Sequence, residues 1–184
     1  MIFVRDKGRM CNNILQYGHL YAWARANNRK TVSMRFAYKY QYFHICRTRW
    51  HNFFVYLFAK YAAQLKLIPT VTFDTPDENL TEKENAMRRG CLVAEGWFAR
   101  WYDLFLQYKP EILSLFTFDS HIENKVTSLL EASSKESIIR LGVHIRRGDY
   151  ATWNDGRFLY DDKQMINIIR QFILLHPNKR VVIY

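Results

Sequence analysis

Residues 138–150 read IIRLGVHIRRGDY. The alternation puts Ile139, Leu141, Val143 and Ile145 on one face of an extended chain, and Arg140, Gly142, His144 and Arg146 on the other. That predicts a strand over 138–145 and an exit turn at Arg147-Gly148-Asp149, where glycine accepts dihedrals closed to other residues. His144 and Arg146 then point the same way at the carboxyl end of a strand. In open α/β sheets that end is where ligands bind. A guanidinium is a planar fork of donors that can hold a phosphate through two bonds, so a diphosphate ligand accounts for the charge gathered here. Two plainer readings stand beside it: a solvated strand end, and Arg147-Gly148-Asp149 as an adhesion tripeptide.

The flanking sequence predicts more of the same architecture. Asp161-Asp162 open a helix whose apolar face is Met165, Ile168, Ile169, Phe172 and Leu175, and both carboxylates suit the positive end of its dipole. RVVIY (180–184) is a further strand, so the region reads strand, helix, strand. At the other end of the chain, Ile2-Phe3-Val4 is a strand, RDKGRMCNN a turn, 13–27 a helix capped by Asn12 or Asn13, and 31–34 a second strand. A helix over 53–67, strands at 70–73 and 91–96, a helix start at Pro110 and a helix over 120–132 follow. Residues 74–90 read as a polar loop, and 132–137 as a linker. The pattern is α/β throughout.

The 184 residues are 49% hydrophobic and 16% aromatic, enough for a packed core and unlike a disordered chain. A formal net charge of +10 and an isoelectric point near 9.6 favour anionic partners: nucleic acid, nucleotide phosphates or an anionic membrane surface. Residues 35–52 alternate basic and aromatic side chains. They fit a nucleic-acid surface, a long binding loop, or an irregular piece of core with a charged rim. Cys11, Cys46 and Cys91 form no paired motif and read as reduced thiols of a cytosolic protein. No stretch has the length of a membrane span, and MIFVRDKG lacks the apolar segment of a signal peptide.

Three segments together resemble the α-1,2-fucosyltransferase family. HIRRGDY (144–150) is similar to that family's donor-site motif, GRMCNNILQYGHLYAWARANN to its N-terminal glycine-asparagine pattern and helix, and EGWFARWYDLF (95–105) to its glycine-aromatic segment. The segments fall in the family's order across most of the chain, with Cys11 and Asn13 standing where the family has glycine and glutamine. The resemblance implies a two-domain B-type glycosyltransferase. Residues 1–135 would be a Rossmann-like domain on the acceptor side, and 136–184 the first part of a Rossmann-like donor domain. The family continues past the last strand into an acidic loop that helps hold the nucleotide, so the second domain reads as incomplete.

The implied reaction moves L-fucose from GDP-fucose to the 2-hydroxyl of a galactoside, inverting the anomeric centre, with no metal or other cofactor. Arg146 is the expected catalytic group at the β-phosphate. His144, Arg147, Asp149, Gly8, Arg9 and Asn12 are expected around the donor, with Arg147 alternatively fixing the turn through Asp149. Asp155, Asp149 and Glu95 are the candidate bases for the acceptor hydroxyl. The expected partners are GDP-fucose and a galactose-terminated glycan, lipid-linked at the anionic inner membrane of a bacterium, with a cytoplasmic enzyme peripheral to that membrane. Nucleic acid is not expected. A basic nucleic-acid-binding module and a truncated, inactive remnant are the alternatives.

Overall fold

Ile2, Phe3 and Val4 are buried, and this run forms one of the two inner strands of a parallel sheet. The computed structural model describes residues 1–76, 79–131 and 138–184. Strand β1 (Ile2–Arg5) pairs on one edge with β2 (Thr31–Ser33) and on the other with β4 (Leu92–Glu95), which in turn pairs with β3 (Thr70–Thr72). The order is β2-β1-β4-β3, all parallel. Parallel strands need apolar cover on both faces, and the period-two pattern supplies it. Ile2, Val4, Leu92 and Ala94 pack in one cluster with Tyr17, Leu20 and Trp23 of α1 (Met10–Ala26). Phe3, Val32 and Val93 pack in another with Ala59 of α2 (Phe53–Gln64). The layout is compatible with a Rossmann-like domain.

Residues 35–52 form turns, an isolated bridge at Phe43 and a short 3-10 turn at His44–Arg47. Phe36, Phe43 and Ile45 are buried, and the Phe36 and Phe43 rings meet Phe116 edge-on at 5.0 and 5.9 Å. The stretch is an irregular piece of core, and its rim carries charges such as Arg47, paired with Asp119 at 2.6 Å.

The polar loop expected over 74–90 contains a helix, α3 (Leu80–Arg88). Its composition is hydrophilic because one side faces water, yet Met87 is fully buried and Glu84 accepts the indole N–H groups of both Trp23 and Trp101, at 2.9 and 2.8 Å. Helix α1 begins earlier than expected, and Arg9, not Asn12 or Asn13, holds the N-cap position. Asn13 lies inside the helix and reaches back to the Lys7 carbonyl at 3.0 Å. Helices α4 (Tyr102–Gln107), α5 (Lys109–Leu115) and α6 (Ser120–Glu131) follow, with Pro110 in the first turn of α5 as expected.

The chain divides into two compact units, Met1–Glu123 and Asn124–Tyr184, and the division falls inside α6. The expected linker at 132–137 lies outside the described residues. In the second unit, β5 (Ile138–Leu141) pairs in parallel with β6 (Arg180–Ile183) through α7 (Asp162–Leu174). The strand expected to run to residue 145 stops at Leu141, which pairs with Ile183. No helix among the described residues is long and apolar enough to cross a membrane.

Gly96 ties β4 to β3. Its φ is +117°, and a Cβ there would stand 2.4 Å from the Phe73 carbonyl oxygen, which already accepts the Phe98 N–H at 2.9 Å. Gly96→Ala combines backbone strain with a collision against backbone, and is expected to cost about 3 kcal/mol. Urea unfolding of the variant checks this; a loss under about 0.5 kcal/mol, the range of a neutral surface change, contradicts it.

Candidate functional site

Beyond Leu141 the second unit continues in irregular backbone that carries the basic motif. Tyr184 donates its N–H to the Leu141 carbonyl and accepts that of Val143, which extends the ladder briefly. From there His144, Ile145 and Arg146 all line one cleft of about 410 Å³. Its remaining wall is Tyr150, Trp153, Phe158, Tyr160 and Met165. The Arg146 guanidinium lies over the Tyr150 ring, 4.2 Å from its centroid, and its Nη2 is 3.5 Å from Asp149 Oδ2. Tyr150 stacks on Trp153 with centroids 5.2 Å apart, and Trp153 meets Phe158 at 5.5 Å. The cleft thus joins a cation to a run of aromatic planes, a combination suited to a phosphate attached to a flat ring.

The motif's two arginines divide their work differently from the expectation. Arg147 does not pair with Asp149. It pairs with Asp162, the first residue of α7. Asp149 is the partner of Arg146. Asp161 is the N-cap: it accepts the Gln164 N–H at 2.7 Å, while the Gln164 side chain takes the Asp161 N–H at 2.9 Å. This reciprocal box fixes the start of α7, and Arg147 straps the motif to it. Gly148 has a φ of +74°, which gives the turn its handedness. Asp155 follows in a left-handed conformation beside Asn154.

The other expected site residues lie in the first unit. Gly8, Arg9 and Asn12 form the loop and first turn of α1, while Gln16 holds that loop by bonding the Lys7 carbonyl at 2.7 Å. Glu95 ends β4 and pairs with Arg5 at 3.3 Å. Cys11, Cys46 and Cys91 carry free thiols. Among the described residues no three His, Cys, Asp or Glu side chains come together as a metal-ligand group.

Residue-by-residue reading missed a second constellation. Asp6, directly after β1, is 1% exposed and accepts the Ser33 hydroxyl at 2.9 Å. Ser33 donates its backbone N–H to His51 Nε2 at 3.0 Å, and His51 Nδ1 meets the Thr48 hydroxyl at 2.7 Å. Burial pushes the Asp6 carboxyl up to about 7, against the Ser33 and backbone hydrogen bonds that favour its charge. Burial also holds His51 down to about 4, so the imidazole is neutral, as its accepting Nε2 requires. Asp6 closes the floor of a cleft of about 630 Å³ between α2 and the sheet. The signal in the sequence was a lone acid at the end of an apolar strand.

No family model matches this chain, and neither a curated protein nor a solved structure matches it.

The raised Asp6 carboxyl has a definite sign in stability. The folded chain keeps that proton up to about pH 7, whereas the unfolded chain releases it in the ordinary carboxylate range. Stability from this group is therefore full at low pH and is lost as pH rises through 7. His51 and His19, both lowered to about 4, act in the opposite direction and lose stability on acidification. Comparing Asp6→Asn with the wild type cancels the histidines. Between pH 5 and 8 the variant should gain on the order of 2–3 kcal/mol relative to the wild type. Parallel urea titrations at the two pH values read this directly, and a pH-independent difference refutes it.

Proposed function

We propose that the chain is a nucleotide-sugar-dependent glycosyltransferase of two-domain B-type architecture, moving L-fucose from GDP-fucose to the 2-hydroxyl of a galactoside. One observation carries this reading: His144 and Arg146 line the same cleft as the aromatic run Tyr150, Trp153 and Phe158. In the reaction, the bond from the anomeric carbon to the diphosphate oxygen breaks and its electrons stay with the diphosphate. The acceptor oxygen bonds the anomeric carbon from the opposite face and gives its proton to a carboxylate. Charge grows on the leaving diphosphate, so a guanidinium that meets it there lowers the barrier. Arg146 is suited to that part because, among the described residues, it is held by Asp149, at 3.5 Å, and the Tyr150 ring. Arg147 braces the turn through Asp162. The aromatic run offers planes for the guanine base. The charge of +10 supports a cytoplasmic position at an anionic membrane surface, where a lipid-linked acceptor would lie.

Arg146→Ala is expected to weaken GDP binding by about 30-fold, the loss of a charge-assisted pair. Its melting temperature should not move, because the side chain is 39% exposed. Arg146→Lys should recover little of the affinity, since it supplies charge without the fork. Calorimetric titration with GDP checks both variants, and fucose transfer to lactose gives the second readout. Unchanged GDP affinity in the alanine variant removes Arg146 from the role.

A second reading, an inert remnant, draws on burial: none of the described residues from 138 to 184 is buried. Limited proteolysis separates the two. Rapid loss of the second unit beside a stable first unit, unaffected by GDP, favours the remnant; protection of the second unit by GDP favours the transferase.

A further inference from the structure

The cleft floored by Asp6 is built from charges of both signs. Arg5 and Glu95, from β1 and β4, form one pair at 3.3 Å. Arg35, just beyond β2, donates from Nε to the Asp6 carbonyl at 3.2 Å and from Nη1 to the Tyr38 hydroxyl at 2.7 Å. Its Nη2 has no protein acceptor among the described residues. Lys60 of α2 is exposed and stands over the Tyr61 ring at 5.3 Å, with no carboxylate in ion-pair range among the described residues. Tyr38 and Tyr56 bring their rings together at 4.3 Å on the same wall. The cleft lies beside the carboxyl ends of β1, β2 and β4, where open α/β sheets take ligands, and its 630 Å³ is in the range of small-molecule sites.

We propose that this cleft is a binding site for a small sugar acid, a ligand with one carboxylate and several hydroxyls. The uncommitted donors of Arg35 and Lys60 match one carboxylate. Glu95 accepts hydroxyl protons, and its charge disfavours a more highly charged anion. The tyrosine rings offer an apolar face to a sugar ring. The site uses no residue of the second unit, so it stands or falls apart from the donor reading.

Binding is coupled to a proton. Asp6 faces Ser33 and Arg35 from the β2 side, Arg5 and Glu95 along the sheet, Lys60 across the cleft, and Tyr17 from α1. His51 sits behind Ser33 as a neutral imidazole. Tyr17 is pushed upward by burial and stays neutral, so between pH 6 and 8 Asp6 is the group in this set that changes charge. A carboxylate held near it favours the protonated form, so the complex takes up a proton.

The test is calorimetric titration of the full chain with glucuronate, glucose and inorganic phosphate at pH 6 and pH 8. Glucuronate is expected to bind at least about fivefold more weakly at pH 8, a modest coupling free energy. Glucose should bind about tenfold more weakly than glucuronate, for want of the charge-assisted pair. Asp6→Asn should bind glucuronate equally at the two pH values. Lys60→Met, a change at an exposed side chain, should weaken glucuronate about tenfold and leave glucose alone. If the asparagine variant fails to fold, Lys60→Met decides. Equal affinity for glucose and glucuronate overturns the proposal, and so does glucuronate affinity that ignores pH in the wild type. Phosphate binding as tightly as glucuronate overturns the sugar-acid assignment and leaves an anion site.

Discussion

Strand β1 hydrogen-bonds to β2 along one edge and to β4 along the other, and its first three residues are buried on both faces. Along that buried run a strand needs apolar side chains and a layer above and below; the charge of Arg5 comes only at its end. The two layers differ in kind. On the α1 side the cover is aromatic: Tyr17, Trp23, Phe36, Phe43, Phe73 and Phe116. Large rings bury much area at low entropic cost, but they leave few routes for the chain. Irregular residues 35–52 thread that layer, so the segment after β2 folds over the carboxyl end of the sheet instead of running straight into a helix. Asp6 is sealed in as a result.

Sealing an acid there has consequences for charge. Asp6 and His51 share Ser33 as their common neighbour, one through the hydroxyl and one through the backbone N–H. Asp, Ser and His together suggest a nucleophilic triad, but the geometry denies it. The Ser33 proton goes to Asp6, its oxygen takes the Phe36 N–H at 3.1 Å, and the histidine nitrogen is filled by a backbone donor. The imidazole does not reach the hydroxyl, as the serine of a Ser-His-Asp triad requires. The set instead fixes the edge of a cleft and leaves one proton poised near neutrality.

Strongly periodic elements were legible in the sequence. β1, α2 and β4 stand close to where apolar spacing put them, and α1 begins a turn earlier, because those segments bury apolar side chains; α7 stands where its spacing put it although none of its residues is buried. The helix at 80–88 was hidden, since a single buried residue, Met87, and an acid joined to two indoles leave no stripe to see. His144 and Arg146 line one cleft, but not through the strand alternation that grouped them in the sequence. The strand expected to aim them ends before either residue. The aromatic wall of their cleft, spaced irregularly from Tyr150 to Tyr160, follows a turn and a left-handed pair that no period describes. Asp6 escaped notice because burial, not identity, makes it unusual.

Adjacent arginines in a turn present an ambiguity that sequence cannot remove, since either could grip a ligand. Their partners differ in physical terms. Arg147 spans from the turn to the first residue of α7, whose start is already fixed by the Asp161–Gln164 box. To release it for a ligand would free the turn and leave Asp162 alone at the helix end. Among the described residues Arg146 has a loose partner at 3.5 Å and a ring beneath it. A ring face holds the guanidinium plane without using its N–H donors, so the side chain is ordered while its hydrogen bonds remain largely available. An ordered, under-used fork binds an anion at lower entropic cost than a free one. Arg147 is committed to the turn and Arg146 is not, which is the division of labour that the proposed donor role asks for.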